Sequence, residues 1–162
     1  MVGELRWDDV KQWFDPSENG GAPDVVVADT TLADWQLVLD LVRSHGWRCE
    51  YERGDRVTPV PKSAADLFVL ETGEPSTLLT VWPYPDLEWI IRPYAEEEIL
   101  SDVDLHQIQG QERLDAFCRL LRTLGDALQK DVCVYSEGDD TYPPMIAYDV
   151  AVDRVVYLAG PW

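Results

Sequence analysis

ERLDAFCRLLRTLGDALQKDVCVYSEGDD, residues 112–140, decides the fold, because its apolar residues change period partway along. Leu114, Phe117, Cys118, Leu121, Leu124 and Leu128 recur at steps of three and four, which lays one apolar stripe down a helix over about Gln111 to Gln129. Glu112, Arg113, Asp115, Arg119, Arg122 and Asp126 fall mostly on the other side. Lys130 is expected to close the last turn, where a cation suits the carbonyl end of the helix dipole. Beyond it Val132, Val134 and Ser136 alternate with Cys133 and Tyr135, a strand pattern, and Glu137, Gly138, Asp139 and Asp140 end the run with turn chemistry. A helix feeding a core strand is a scaffold, and nothing in it has the residues of a catalytic site.

After this stretch Pro143 and Pro144 introduce Met145 to Tyr148, and Asp149 to Asp153 turns the chain into Arg154 to Leu158, a final hairpin. Before it lie three expected strands, Asp66 to Glu71, Thr77 to Trp82 and Leu87 to Arg92, joined by the turn-rich TGEPS and PYPD into an antiparallel meander. Pro93 cannot donate to a ladder, so pairing is expected to weaken there and the acidic run to Asp104 to be loop or a poorly paired edge.

Further upstream, Thr31 and Asp34 form a capping pair for a helix from Thr31 to His45, with Leu32, Trp35, Leu39 and Val42 buried and Gly46 ending it. Val25 to Ala28 reads as a strand buried on both faces, Trp47 to Arg53 as one with a wet face, and Val57 to Lys62, with Pro59 and Pro61, as a loop or interrupted edge. Glu4 to Phe14 has the spacing of a short amphipathic helix, and Asp15 to Pro23 that of a linker too short to separate domains.

The element order, roughly (α)βαββββαβββ, predicts an α+β fold: a mainly antiparallel sheet with two principal helices packed on one face. One domain spans 1–162, with an N-terminal segment and linker at 1–23, a first half with the meander at 24–94 and a second half at 95–162. RCEYERGD at 48–55 echoes VCVYSEGD at 132–139, and the helices before them align at LVLDLVRSHG and AFCRLLRTLG. Either an internal duplication or the common packing demands of two helix-to-strand passages account for this echo.

Charge is the most unusual property of the 162 residues: 31 acids against 13 bases, a formal charge of −18. Such a field repels nucleic-acid phosphates and anionic lipid and attracts basic partners. Two segments lack any base. Glu96, Glu97, Glu98, Asp102 and Asp104 fall between Arg92 and Arg113, and Asp131, Glu137, Asp139, Asp140, Asp149 and Asp153 between Lys130 and Arg154. The acids either solvate the surface or steer a partner.

Cys49, Cys118 and Cys133 are odd in number and form no CxxC pair, which points to reduced thiols rather than a disulfide framework or zinc site. With no run of 18 apolar residues and no signal-peptide pattern, a cytosolic protein is expected. Phosphate-loop, HExxH, GxSxG, EF-hand and GxGxxG motifs are all missing, so no motif-defined enzyme fits and no cofactor is implied. His45 and His106 read as a helix cap and a surface residue. Glu137, Asp139 and Asp140 are of the type that ligates a hard cation, but their spacing matches no calcium loop and a solvated turn accounts for them.

The aromatic stretch VWPYPDLEWIIRPY at 81–94 is the better candidate for binding. Trp82, Tyr84, Trp89 and Tyr94 surround a hairpin, and strand alternation puts Trp89 and Ile91 on one face and Ile90 and Arg92 on the other. These rings either cover the helices from the sheet or anchor a protein partner beside steering carboxylates. Stacking on single-stranded nucleic acid needs a basic groove that the chain lacks.

The last third, with YSEGDD and PPMIAYD after the long helix, resembles small acidic bacterial immunity proteins, the antidotes of polymorphic or contact-dependent toxin systems. The resemblance implies an α+β fold and a binding function, without carrying over any binding residue. The expectation is a non-enzymatic inhibitor of a basic toxin domain, plausibly a nuclease. Its contacts would come from Trp82, Tyr84, Trp89, Tyr94, Glu96, Glu97, Glu98, Asp102, Asp104, Glu137, Asp139 and Asp140. A small carboxylate- or metal-dependent hydrolase and a protein-binding scaffold or regulatory subunit are the alternatives.

Overall fold

The computed structural model describes residues 4–68, 76–138 and 143–158. In chain order the elements are α1 (Trp7–Val10), α2 (Pro16–Asn19), β1 (Asp24–Ala28), α3 (Leu32–Ser44), β2 (Arg48–Arg53), β3 (Arg56–Thr58), β4 (Thr77–Tyr84), β5 (Leu87–Ala95), β6 (Glu98–Val103), α4 (Gln111–Leu128), β7 (Val132–Tyr135), β8 (Ile146–Asp149) and β9 (Arg154–Tyr157). Nine strands make one sheet in the order β3-β2-β4-β5-β6-β1-β7-β8-β9, and every pairing is antiparallel. The fold is α+β, with α3 and α4 as its principal helices.

Binary patterning explains the layers. On β4, β5 and β6 buried residues alternate strictly with half-exposed ones, so Leu79, Val81, Trp89, Ile91, Ile99 and Val103 face inward. α4, which contacts β7, β8 and β9, buries Leu114, Phe117, Leu121, Leu124 and Leu128 in the same core, α3 buries Trp35, Val38, Leu39 and Val42, and the two helices touch each other. One apolar core results, drawing on Leu5 near one end of the chain and Val155 near the other. β1 lies between β6 and β7, and Val25, Val26 and Val27 are all buried, as its continuous apolar run requires.

The caps follow local chemistry. Thr31 Oγ1 accepts from the Asp34 amide while the Asp34 carboxylate accepts from the Thr31 amide, a complete capping box, and Gly46 leaves α3 at φ +63°. α4 stops one residue earlier than its charge pattern suggests. Gln129 turns left-handed, the Lys130 amide donates to the Gly125 carbonyl, and the Lys130 ammonium reaches Asp34 at 3.8 Å instead of sitting over the helix end. The echo between the two helices therefore pairs unlike glycines, since Gly46 follows a helix and Gly125 lies inside one.

Two of the strand expectations fail. Asp66 and Leu67 belong to a 3₁₀ turn, Ala64–Leu67, that buries Ala64 and Leu67 beside α3; they do not begin a strand, and residues 69–71 lie outside the described residues. The third strand of the meander is β6, in the acidic run expected to be loop or a poorly paired edge, and it is paired on both sides, with β5 and β1. Its inward residues Ile99, Ser101 and Val103 alternate with Leu100 and Asp102, so its acids occupy wet positions of an ordinary amphipathic strand. Pro93 does disturb the ladder, since the register shifts between Arg92 and Ala95, but pairing resumes at once as Ala95 meets Glu98. At the N-terminus only Trp7–Val10 is helical, although Val10, Trp13 and Phe14 are all buried. The linker contains α2, whose Asp15 side chain accepts from the Ser17 amide.

A polar network closes the far side of the molecule. Arg122 bonds Glu4 and Asp153, and the Tyr148 hydroxyl lies 2.5 Å from Asp126 Oδ1 and 2.7 Å from Asp153 Oδ1. The Tyr148 hydroxyl, and then the Arg122 charge, hold the Asp153 carboxyl below its ordinary value. A depressed carboxyl stabilises the fold above its unfolded pKa and loses that contribution as pH falls through its folded one. Asp153→Asn should therefore lower the melting temperature at neutral pH and flatten its decline below about pH 4, the unfolded carboxylate range. Scanning calorimetry of both proteins from pH 7 to pH 2.5 measures the difference.

Candidate open-face interface

The residues opposite the core form rows across the sheet, fixed by strand register. Leu100, Val26, Cys133, Ala147 and Val156 are successive cross-strand partners on β6, β1, β7, β8 and β9. They alternate with residues of the helix-side core on their own strands; Leu100, Cys133 and Val156 are half-buried, while Val26 and Ala147 between them are buried. One register step along, Glu50, Thr80, Ile90, Asp102, Asp24 and Tyr135 make a second row from β2 to β7. On the other side of the apolar row, Glu98 pairs with Ala28 and with Ala95.

The second row runs into a shallow concavity of about 690 Å³. Asp24, Glu88, Asp102, Asp104 and Glu137 line it, together with Ile90, Arg92 and His106. The sheet order creates this cluster: β1 separates β6 from β7 and so brings the ends of both base-free segments together. Part of the charge is answered internally. Arg92 Nε donates to Asp102 Oδ2 at 2.8 Å, and the Asp102 bond is the first cause of the raised Arg92 pKa. His106 Nδ1 lies 2.8 Å from Asp104 Oδ1, which also accepts the His106 amide as a cap. Glu137 Oε2 accepts from the Gly21 amide at 3.1 Å and the Ala22 amide at 3.5 Å, so this acid ties the N-terminal linker to the end of β7. Gly20 makes the approach feasible: it has φ +77°, and a Cβ there would lie 2.5 Å from Glu137 Oε2. Asp139 and Asp140 lie outside the described residues. Among the described residues no three His, Cys, Asp or Glu side chains are grouped to hold a metal ion.

The other expected acids sit at the far end of β6. From Glu98 to Val103 the strand rises roughly 17 Å, at about 3.4 Å per residue, so the Glu96–Glu98 tip and the concavity bracket the open face. Glu96, Glu97 and Glu98 are exposed. Their turn is held through backbone atoms, since the Glu96 carbonyl accepts from Trp35 Nε1 at 3.0 Å and Thr30 Oγ1 at 2.7 Å, and the Glu97 carbonyl accepts from the Thr30 amide.

The four aromatic candidates do not form one cluster. Trp89 is 0% exposed, facing the helices beside Ile91 as alternation predicts, and its Nε1 donates to Ser101 Oγ at 2.8 Å. It cannot reach a partner and is a core residue. Tyr84 is moved to the helix side by a register shift between Val81 and Tyr84; Arg119 Nε donates to its hydroxyl at 3.0 Å. Trp82 stays half-buried on the open face, with the Arg48 guanidinium 4.2 Å from its ring centroid. Tyr94, beside the acidic tip, is 59% exposed.

Sequence reasoning missed Asp24 and Glu88, and it missed the apolar row altogether. Asp24 follows a proline in what reads as a linker, and Glu88 lies within the aromatic stretch, so neither joins an acidic run in sequence. Cross-strand register alone brings them to Asp102.

Comparison of the chain with protein-family models, with curated proteins and with solved structures returns no match. Among the described residues no helix is long and apolar enough to cross a membrane.

Proposed function

We propose that this protein is a binding protein that captures a basic protein partner, and that it acts as an immunity-type inhibitor whose partner is a toxin domain. The observation that carries the reading is the placement of the acids. Two segments without Lys or Arg, separate in sequence, bracket one face of the sheet, and among the described residues Asp102, Asp104 and Asp153 are the carboxylates of these segments seen to meet an internal cation. Such an arrangement raises the local concentration of a basic surface and aligns it before contact. The resemblance of the last third to immunity proteins supports the choice of a toxin domain as partner, and blocking its active site needs no chemistry from this chain.

Stopped-flow association with the isolated protein encoded beside this one, at low and at moderate salt, tests the proposal. The triple variant E96K/E97K/E98K should associate on the order of tenfold more slowly at low salt and with a flatter salt dependence, because charges at the rim act mainly on the on-rate. Its circular dichroism should match wild type, since the tip is held by backbone carbonyls that the substitutions keep. Wild-type binding that is absent, or equally fast at both salt concentrations, would refute electrostatic capture.

A further inference from the structure

We infer that the partner seats on the open face of the sheet, over the row Leu100, Val26, Cys133, Ala147 and Val156, and that it presents an apolar patch ringed by Lys and Arg. This rests on the reading of the protein as a binder of a basic partner, and adds the surface and the chemistry that surface demands.

The row crosses five adjacent strands, about 19 Å at roughly 4.8 Å per strand, which is the scale of an interface centre rather than of a scattered surface residue. Acids border it on both sides, Asp24 and Asp102 along one register row and Glu98 along another. An apolar centre with a charged rim is the usual anatomy of a protein interface, and here acids outnumber bases at the rim: Arg92, the cross-strand partner of Leu100, is answered by Asp102, and Arg154 lies beside Val156 at the sheet edge. A second copy of the chain is a poor occupant, because each carries −18 and would bring the same acids to face their own kind. A basic surface with an apolar centre complements both parts.

The helical side offers no comparable field. α3 and α4 together carry five acids, Asp34, Asp40, Glu112, Asp115 and Asp126, against four arginines, Arg43, Arg113, Arg119 and Arg122. They therefore hold almost none of the net charge. Most of the attraction for a basic partner comes from elsewhere on the molecule, and the open face is where acids coincide with the half-buried apolar side chains Leu100, Cys133 and Val156.

Cys133, in the middle of the row, reports on this face. It is half-buried, while Cys118 is buried and its thiol is pushed up to about 12 by that burial. In a Cys49→Ser background, maleimide labelling at mildly alkaline pH, where the raised Cys133 thiol still reacts, follows Cys133. The probe is again the isolated protein encoded beside this one. Saturating amounts should slow Cys133 labelling at least about tenfold, and Leu100→Lys should weaken binding about tenfold or more while Leu37→Lys, on the exposed side of α3, leaves it unchanged. Unchanged labelling of Cys133 in a complex that does form, or equal losses from Leu100→Lys and Leu37→Lys, would overturn the placement and leave the binding function standing. A Cys133 that does not react in the free protein would show the face already covered and overturn the placement too. Absence of wild-type binding would remove the functional reading and this inference with it.

Discussion

Trp89→Ala is expected to cost about 3–5 kcal/mol of folding stability, the range for truncating a large buried ring, and so to remove a large part of the roughly 5–15 kcal/mol available to a domain. Trp89 has no exposed surface and its ring fills the inward face of β5 between Val81 and Val103, its partners on β4 and β6. Its indole N–H also matters, because Ser101 Oγ accepts that bond while donating at 2.8 Å to the Val25 carbonyl, a chain that links β5, β6 and β1. Removing the ring leaves a cavity and takes away the partner that oriented Ser101. Trp89→Phe separates the two effects: it keeps much of the volume and loses the donor, and should cost less, of order 1 kcal/mol beyond the volume change. Urea melts of the three proteins give the comparison. A Trp89→Ala protein as stable as wild type would contradict the core assignment and return the ring to the candidate interface.

The fate of this tryptophan shows which features were legible in the chain. Alternation placed Trp89 and Ile91 on one face and Ile90 and Arg92 on the other, and the structure agrees residue by residue. It did not say which face is covered, because that depends on where the helices dock. Both principal helices were readable from apolar spacing, and the capping box at Thr31 and Asp34 from two residues alone. β6 was not, because acids at its wet positions obscured the alternation of Ile99, Ser101 and Val103. The concavity was invisible for a different reason. Asp24, Glu88, Asp102, Asp104 and Glu137 become neighbours only when β1 inserts between β6 and β7, and strand order in an antiparallel sheet is a long-range outcome. The shift that moves Tyr84 away from Trp82 is a backbone irregularity next to Pro83, whose missing N–H marks a weak point in the ladder without fixing which way the chain will turn.

Gly125→Ala should destabilise the protein by about 2 kcal/mol or more, against what helix propensity alone predicts. In an exposed helix interior, alanine is favoured over glycine by about 1 kcal/mol. Gly125 is buried inside α4, however, and a Cβ there would lie 2.1 Å from Tyr148 Cδ1 and 3.1 Å from the Lys130 carbonyl oxygen. The first contact is impossible without movement and the second is tight, so the ring or the helix must move. The ring is poorly placed to yield, since its hydroxyl is held by Asp126 and Asp153 and the Arg122 guanidinium lies 5.4 Å from its centroid. Glycine therefore lets α4 settle close on β8, and overpacking penalties of about 1–3 kcal/mol or more should exceed the propensity gain. The sign can be tested against its cause. With Tyr148→Val the space above Gly125 opens, and the second substitution should become neutral or stabilising, giving a double-mutant cycle with strong favourable coupling. If Gly125→Ala stabilises the wild-type protein, or destabilises the Tyr148→Val protein by the same amount, the Tyr148 ring is not what requires glycine at this position.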